Sequence, residues 1–326
     1  MKHVSILIPE GEMPPNTIIS VIGAYKILSV VNEKYVTLGK EPVFNVLLAS
    51  HSAKAAMIGG KFFIEADSAF GSIKKTDLII IPPTGLDEET LRLNGVFVPW
   101  IKKQYSQGAE IASICTGAFL LACTGLLNGR GCSTHWKAAD QFRLLFPAVN
   151  LMADRLITDE RGIYTNGGAY SFLNLMLYLV GKYCGREMAI YCAKVGEIDF
   201  ERNKQSPFHI FTPQKNHDDE PVRAAQCYIE NNIAEKISVD DLAKKYGLSK
   251  RNFERRFKKA TADTPMGYIQ KVRIEYAKKN FETCRKNVNE VMYDTGYSDR
   301  KAFRMAFKKV TGLLPKEYRN KYRGRS

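Results

Sequence analysis

Cys115 is the residue in this 326-residue sequence whose setting most clearly suggests chemistry. It lies in Ala112-Ser-Ile-Cys-Thr-Gly-Ala118, where an apolar strand runs straight into a helix. Such a turn exposes a nucleophile and aims helix-start amides at it, which would lower a thiol pKa and could form an oxyanion site. Twenty residues on, His135 in Cys132-Ser-Thr-His-Trp136 is a candidate partner. A cysteine and a histidine at this spacing also suit a core thiol and an imidazole that only satisfies local hydrogen bonds.

A second set of side chains is cationic. Lys250, Arg251, Glu254 and Arg255, and again Arg300, Lys301 and Arg304, fall on the polar faces of two predicted helices. Residues 221–326 hold 26 Lys and Arg against 12 Asp and Glu, whereas residues 1–220 balance at 22 each, so the net charge of +14 belongs to the C-terminal third. That is the electrostatic footprint of a double-stranded DNA binder, because lysine and arginine release counterions from phosphates. The arginine fork matches O6 and N7 of guanine, and a carboxylate such as Glu254 can accept from cytosine N4. Glu254 is equally suited to pairing with Lys250 or Arg255. Lys258, Lys259, Lys308, Lys309 and Arg319 are read as phosphate contacts or solvated charges.

The elements that position these cations come from a duplication. Val239, Leu242 and Ala243, and Val288, Val291 and Met292, show the three-and-four spacing of a helix face. Gly247 and Gly296 end those helices, Ser249 or Ser298 caps the next, and Phe253, Phe257, Phe303 and Phe307 face a core. The copies are offset by 49 residues up to the Gly-x-Ser turn and by 50 after it. Each reads as a helix-turn-helix. Between them, Pro265 to about Cys284 reads as one helix with Ile269, Val272, Ile274, Tyr276, Ala277 and Phe281 buried. At 1.5 Å per residue this rod is roughly 29 Å long, close to the ~34 Å repeat of DNA, so one chain could read two half-sites.

Upstream, apolar runs at Val4–Ile8, Phe44–Ala49, Asp77–Ile81 and Glu110–Ile114 read as buried strands. Helical patterns lie at about 17–33, 88–105, 117–127 and 170–184. The expected fold is an α/β three-layer sandwich over residues 1–200 with a mostly parallel sheet, joined through a polar linker at 201–220 to an all-α domain at 221–326. Within the linker, Phe208, Ile210 and Phe211 would either dock on one domain or relay a change between the two. The seven cysteines show no Cys-x-x-Cys and no histidine at metal spacing, so neither metal nor cofactor is expected. The five-residue apolar start is too short for a signal peptide, and Leu175–Val180 is too short to span a bilayer. A reduced, cytoplasmic protein with no membrane partner is the expectation.

Residues 221–326 resemble the AraC-type DNA-binding domain, whose signature ends in a pattern like Gly296-Tyr297-Ser298, Phe303, Phe307-Lys308-Lys309, Gly312, Pro315 and Tyr318-Arg319. By position, the resemblance puts Arg251, Glu254 and Arg255 on the first recognition helix and Arg300, Lys301 and Arg304 on the second. Ser113 to Ala122, Gly125 to Arg130 and Thr134-His-Trp136 resemble the DJ-1/PfpI-like domain of GlxA-type regulators, whose flavodoxin-like fold is similar to that of class I glutamine amidotransferases. Thr165-Asn-Gly-Gly168 and Gln205-Ser-Pro-Phe208 fit the same arrangement. Catalytic members of that superfamily set an acidic residue against the cysteine. The nearest equivalent here is Asn16, with Glu10 and Glu12 out of register, and an amide cannot do general acid/base work.

The resemblance therefore implies a transcriptional regulator, more an activator than a repressor, in which Asn16, Cys115, Thr116 and His135 line a ligand site rather than catalyse. It implies promoter DNA, a small effector such as an amino acid or amine, a homodimer and RNA polymerase as partners. Two alternatives remain at this stage: a DJ-1-type cysteine enzyme fused to a DNA-binding domain, and a thiol-based redox sensor at Cys115.

Overall fold

Period-two alternation sorts the strand residues of the first 205 positions onto two faces of one sheet. Val4, Ile6, Leu78, Ile80, Ala112 and Ile114 enter one core, while Leu7, Ile79, Ile81 and Ile111 enter the other. Both faces are covered, which is why these strands read as unbroken apolar runs. The computed structural model describes residues 1–11, 13–51, 56–58, 62–168, 170–200 and 204–323. It divides into two compact units, Met1–Gln205 and Ser206–Ser326.

In chain order the first unit comprises β1 (Lys2–Leu7), α1 (Pro15–Thr37), β2 (Phe44–Ser50), β3 (Ala56–Ile58), β4 (Phe62–Ile64), β5 (Ser68–Ala69) and β6 (Leu78–Ile81). Then come α2 (Glu88–Asn94), α3 (Phe97–Ser106), β7 (Glu110–Ile114), α4 (Gly117–Cys123), β8 (Gly131–Cys132) and α5 (Ala139–Leu145). It closes with β9 (Asn150–Leu151), β10 (Ile157–Glu160), β11 (Ile163–Asn166), α6 (Phe172–Cys184) and α7 (Arg186–Val195). The main sheet runs β10-β11-β7-β6-β1-β2-β5 and is parallel except for the β10–β11 hairpin. Residues of α1, α6 and α7 cover one face, and those of α3, α4 and α5 the other. This is the expected three-layer sandwich.

Two helices differ from expectation. The stretch at 88–105 is broken at Gly95, which caps α2, and Pro99 then sits in the first turn of α3, where its missing N–H is harmless. The helix expected to reach residue 127 stops at Cys123, because Gly125 adopts a left-handed φ of 74°.

The second unit is all helical: α8 (Glu220–Asn231), α9 (Val239–Lys245), α10 (Lys250–Thr261), α11 (Pro265–Thr283), α12 (Val288–Asp294), α13 (Arg300–Thr311) and α14 (Pro315–Tyr322). The 19-residue α11 serves two cores in succession. Tyr268, Ile269 and Val272 pack with Phe253 and Phe257, and Ile274, Ala277 and Phe281 pack with Phe303 and Phe307. Tyr276, expected in that buried face, is instead 39% exposed. No helix among the described residues is long and apolar enough to cross a membrane.

The segment expected as an exposed linker is divided, apart from 201–203, which lie outside the described residues. Gln205 is buried in the first unit, its side-chain amide directed at Ser133 Oγ and at the carbonyls of Thr134, Ala153 and Arg155. Beyond the division, the Phe211 amide donates to Glu275 at 3.0 Å and its ring lies edge-on to Tyr268. Buried Lys278 donates to the His209 carbonyl at 2.6 Å. These polar anchors are 50 or more residues away, which is why local composition reads the stretch as loose.

Candidate functional site

Parallel strands deliver the first site. β2 lies on one side of β1 and β6 on the other, so a crevice opens at the carboxyl ends where the chain reverses its direction of growth, the usual place for a ligand in such sheets. Asn16 opens α1 after β1, Pro82-Pro83-Thr84 follows β6, Cys115 follows β7, and Asn166 ends β11. Cys115 has φ of 55°, a left-handed conformation costly for a residue with a Cβ, which costs of order 1–3 kcal/mol. The neighbouring backbone holds it there. Its amide donates to the Asn166 carbonyl at 2.9 Å, and its carbonyl accepts from Thr134 Oγ1 at 2.8 Å. Gly117 permits the tight turn, since a Cβ there would lie 2.6 Å from the carbonyl oxygens of Ile81 and Pro82.

The elbow is present, but its thiol is not activated. Cys115 is only 2% exposed, and burial pushes its pKa up to about 12 despite the opposing hydrogen bonds from Thr116. The expected lowering by helix-start amides is thus overturned: desolvation of a thiolate outweighs a few amide dipoles. Asn16 Nδ2 lies 4.0 Å from the sulfur. Glu10 is held elsewhere, its carboxylate accepting from the His51 amide at 3.3 Å, and Glu12 lies outside the described residues.

His135 makes no hydrogen bond to Cys115 among the described residues. Its Nδ1 accepts from the Lys137 amide at 3.1 Å, and its ring tilts against Trp136 with centroids 5.4 Å apart. Burial, reinforced by the Lys137 charge, lowers its pKa and keeps the ring neutral. A neutral ring that accepts at Nδ1 carries its proton on Nε2, so that nitrogen donates and cannot receive a thiol proton.

Thr116 reaches the other wall. Its hydroxyl donates to the Thr84 carbonyl at 2.8 Å and accepts from the Thr84 amide at 3.1 Å, while Thr17 Oγ1 donates to the Pro83 carbonyl at 2.8 Å. Thr84 Oγ1 itself is buried with no partner among the described residues. Thr84 was not singled out from the sequence. The available signal was its place in Pro82-Pro83-Thr84, directly after an apolar strand.

The second site is the basic face of the helical unit. Ser238 caps α9, Ser249 caps α10, and Asn287 with Glu290 forms a capping box on α12. For α13 the cap is not the expected Ser298. Asp299 accepts the Ala302 amide at 2.6 Å, so the extra residue of the second copy lies between Gly296 and the helix start. Gly247 and Gly296 have φ of 66° and 73°. Lys250, Arg251, Glu254, Arg255, Arg300, Lys301 and Arg304 are all exposed. Lys250 pairs with Asp240 at 2.9 Å and also lies in the field of the Glu254 carboxylate, and Arg255 donates to Asn252 Oδ1 at 3.0 Å. Glu254, Arg251, Arg300, Lys301 and Arg304 form no ion pair among the described residues. Arg256 points away from this face and binds Asp219 through two hydrogen bonds of 2.8 and 2.9 Å, a lock the sequence reading missed.

Comparison with known proteins follows the same division. A helix-turn-helix domain model matches residues 242–321, and the DJ-1/PfpI family model matches residues 38–182. The chain joins a DJ-1/PfpI domain to an AraC-type helix-turn-helix domain. This DJ-1/PfpI and helix-turn-helix chain is 28% identical over 223 residues to the HTH-type transcriptional regulator GbdR of Pseudomonas aeruginosa, covering 68% of the chain and 60% of GbdR, less than two thirds of that protein. It is 24% identical over 321 residues to the HTH-type transcriptional regulator CdhR of the same species, covering 94% of the chain and 89% of CdhR. Identity to the HTH-type transcriptional regulator GlxA of Rhizobium meliloti is 26% over 220 residues, or 66% of each protein. A crystal structure of a transcriptional-regulator candidate from Vibrio parahaemolyticus superposes with a TM-score of 0.52 at 24% identity, covering 60% of this chain and 98% of that one, which shows the α/β fold.

Proposed function

We propose that this chain regulates transcription by binding two half-sites of promoter DNA through α10 and α13, under control of a small molecule held by the DJ-1/PfpI domain. The observation that carries the reading is a pair of capped helix-turn-helix units built on one continuous helix, each turning a cationic helix face to solvent. Arg251, Glu254, Arg255, Arg300, Lys301 and Arg304 read base edges, and Lys250 does so once freed from Asp240. Named relatives that are transcriptional regulators support the same reading.

The effector site is the crevice of Asn16, Cys115, Thr116 and His135, with Thr84 as a further hydroxyl. Its ligand is a small amino acid or amine, its active form a homodimer in the cytoplasm, and its output activation through RNA polymerase. Hydrolysis or thiol redox chemistry fits the site poorly: the thiol is protonated, His135 presents a donor, and Asn16 stands where an acid would be needed.

Selection of bound fragments from a random duplex library at about 0.15 M salt, with and without pooled amines and amino acids, tests both parts. Enrichment of paired half-sites, altered by one metabolite class, supports the proposal. Binding that is equal on every sequence and insensitive to all metabolites rejects it.

A further inference from the structure

We infer that Met305 is a specificity residue of the second recognition helix, making contact with the C5 methyl of a thymine in the major groove. The inference rests on the DNA-binding reading above and goes beyond it by assigning an apolar base contact. α13 buries Phe303, Ala306, Phe307 and Thr311. Met305 lies on the opposite side among exposed Lys301, Arg304 and Lys308, and is itself 64% exposed.

The repeat makes its position pointed. Counting from the two caps, Ser249 and Asp299, the sixth residue is Arg255 in the first helix and Met305 in the second. The same place on the helix therefore presents a planar cation in one copy and an unbranched thioether in the other. A single exposed methionine elsewhere on a protein surface would need no explanation. Here it stands within the face offered to DNA, flanked by cations suited to phosphates and guanine. Met305 offers no strong donor, so it reads no guanine edge. The apolar feature of the major-groove code is the thymine methyl, and a flexible, polarisable side chain adapts well to it. The two half-sites should accordingly differ, with the second containing a thymine read through its methyl.

The test uses the full-length protein and a selected duplex in which thymines are replaced one at a time by deoxyuridine, which preserves every pairing and hydrogen-bonding group and removes only the methyl. One position should bind about fourfold more weakly, the factor corresponding to one buried methyl group. Met305→Ala should bind the thymine and deoxyuridine duplexes equally, while Met305→Leu should retain the difference. Unchanged thermal melting of both variants shows that the fold is intact. If sequence-specific binding persists but no replacement matters, or Met305→Ala still discriminates, the inference is overturned and the regulator reading survives. If the wild-type protein has no sequence preference, both fail.

Discussion

Gly247 and Gly296 occupy the same turn in the two helix-turn-helix copies, yet replacing them with alanine should have unequal costs. Both have left-handed φ, of 66° and 73°, a conformation that costs an L-residue roughly 1–2 kcal/mol. Against this, alanine gains about 0.4–1 kcal/mol by restricting the unfolded chain. At Gly247 a new Cβ meets nothing within 4 Å, so the net loss should be about 1 kcal/mol. At Gly296 it would lie 2.8 Å from the Ala234 carbonyl oxygen and 2.9 Å from that of Ile233. Those atoms are backbone in the connection between α8 and α9, which Arg273 also grips by donating to the Glu235 carbonyl at 2.5 Å. Overpacking of this kind adds about 1–3 kcal/mol, for a total near 3 kcal/mol. The assay is urea unfolding of residues 206–326, followed by circular dichroism at 222 nm, with both variants measured against the parent. Gly296→Ala should also weaken specific DNA binding more than Gly247→Ala, because the clash lies where the second copy abuts the first. Equal losses at the two positions would refute the claim that this contact fixes one copy against the other.

Ala262 ends α10 at φ of 58°, where the second copy has Gly312 at 72°; Ala262→Gly should stabilise the helical unit by about 1 kcal/mol, and an unchanged or lower urea midpoint would contradict this. Cys115 should react with iodoacetamide at pH 8 only as fast as the unit unfolds, because its folded pKa of about 12 leaves it protonated. The folded state holds this proton more tightly than the unfolded chain, whose thiol has the ordinary value of 9.0. The stability this contributes is therefore complete below pH 9 and lost as pH rises from 9 towards 12, which Cys115→Ala melts across that range would detect by their flatter profile. Arg304→Ala should cost about 1–3 kcal/mol on a selected site and much less on random duplex; equal losses would demote Arg304 to a phosphate contact.

Local rules explain why the helical half was so readable. Glycine stops, short polar caps and phenylalanines four apart all act within one or two turns, and they recur in both copies. The Ser298 expectation failed because two capping residues stand side by side, and the helix starts after Asp299. Tyr276 was misplaced because α11 passes from one core to the other near its middle, which no single face pattern describes. In the α/β half, strands buried on both faces announced themselves, whereas β10, with Thr158, Asp159 and Glu160, is the polar edge strand of a hairpin and has no apolar run. At Cys115, the elbow was legible in Ser113-Ile-Cys-Thr-Gly117. The depth of its thiol was not, since Asn16 and Asn166 reach Cys115, and Thr84 its neighbour Thr116, from three separate strands' ends.

The most direct test of the two-half-site claim is the affinity of the full-length protein for its selected duplex after 5 base pairs are inserted between the half-sites. Half a helical turn moves one site to the opposite face of the duplex, beyond the reach of helices fixed on α11. Affinity should then fall to that of either half-site alone, because only one helix at a time can read its bases. Undiminished binding to the 5-base-pair insertion would contradict a single chain reading both half-sites through one rigid connecting helix.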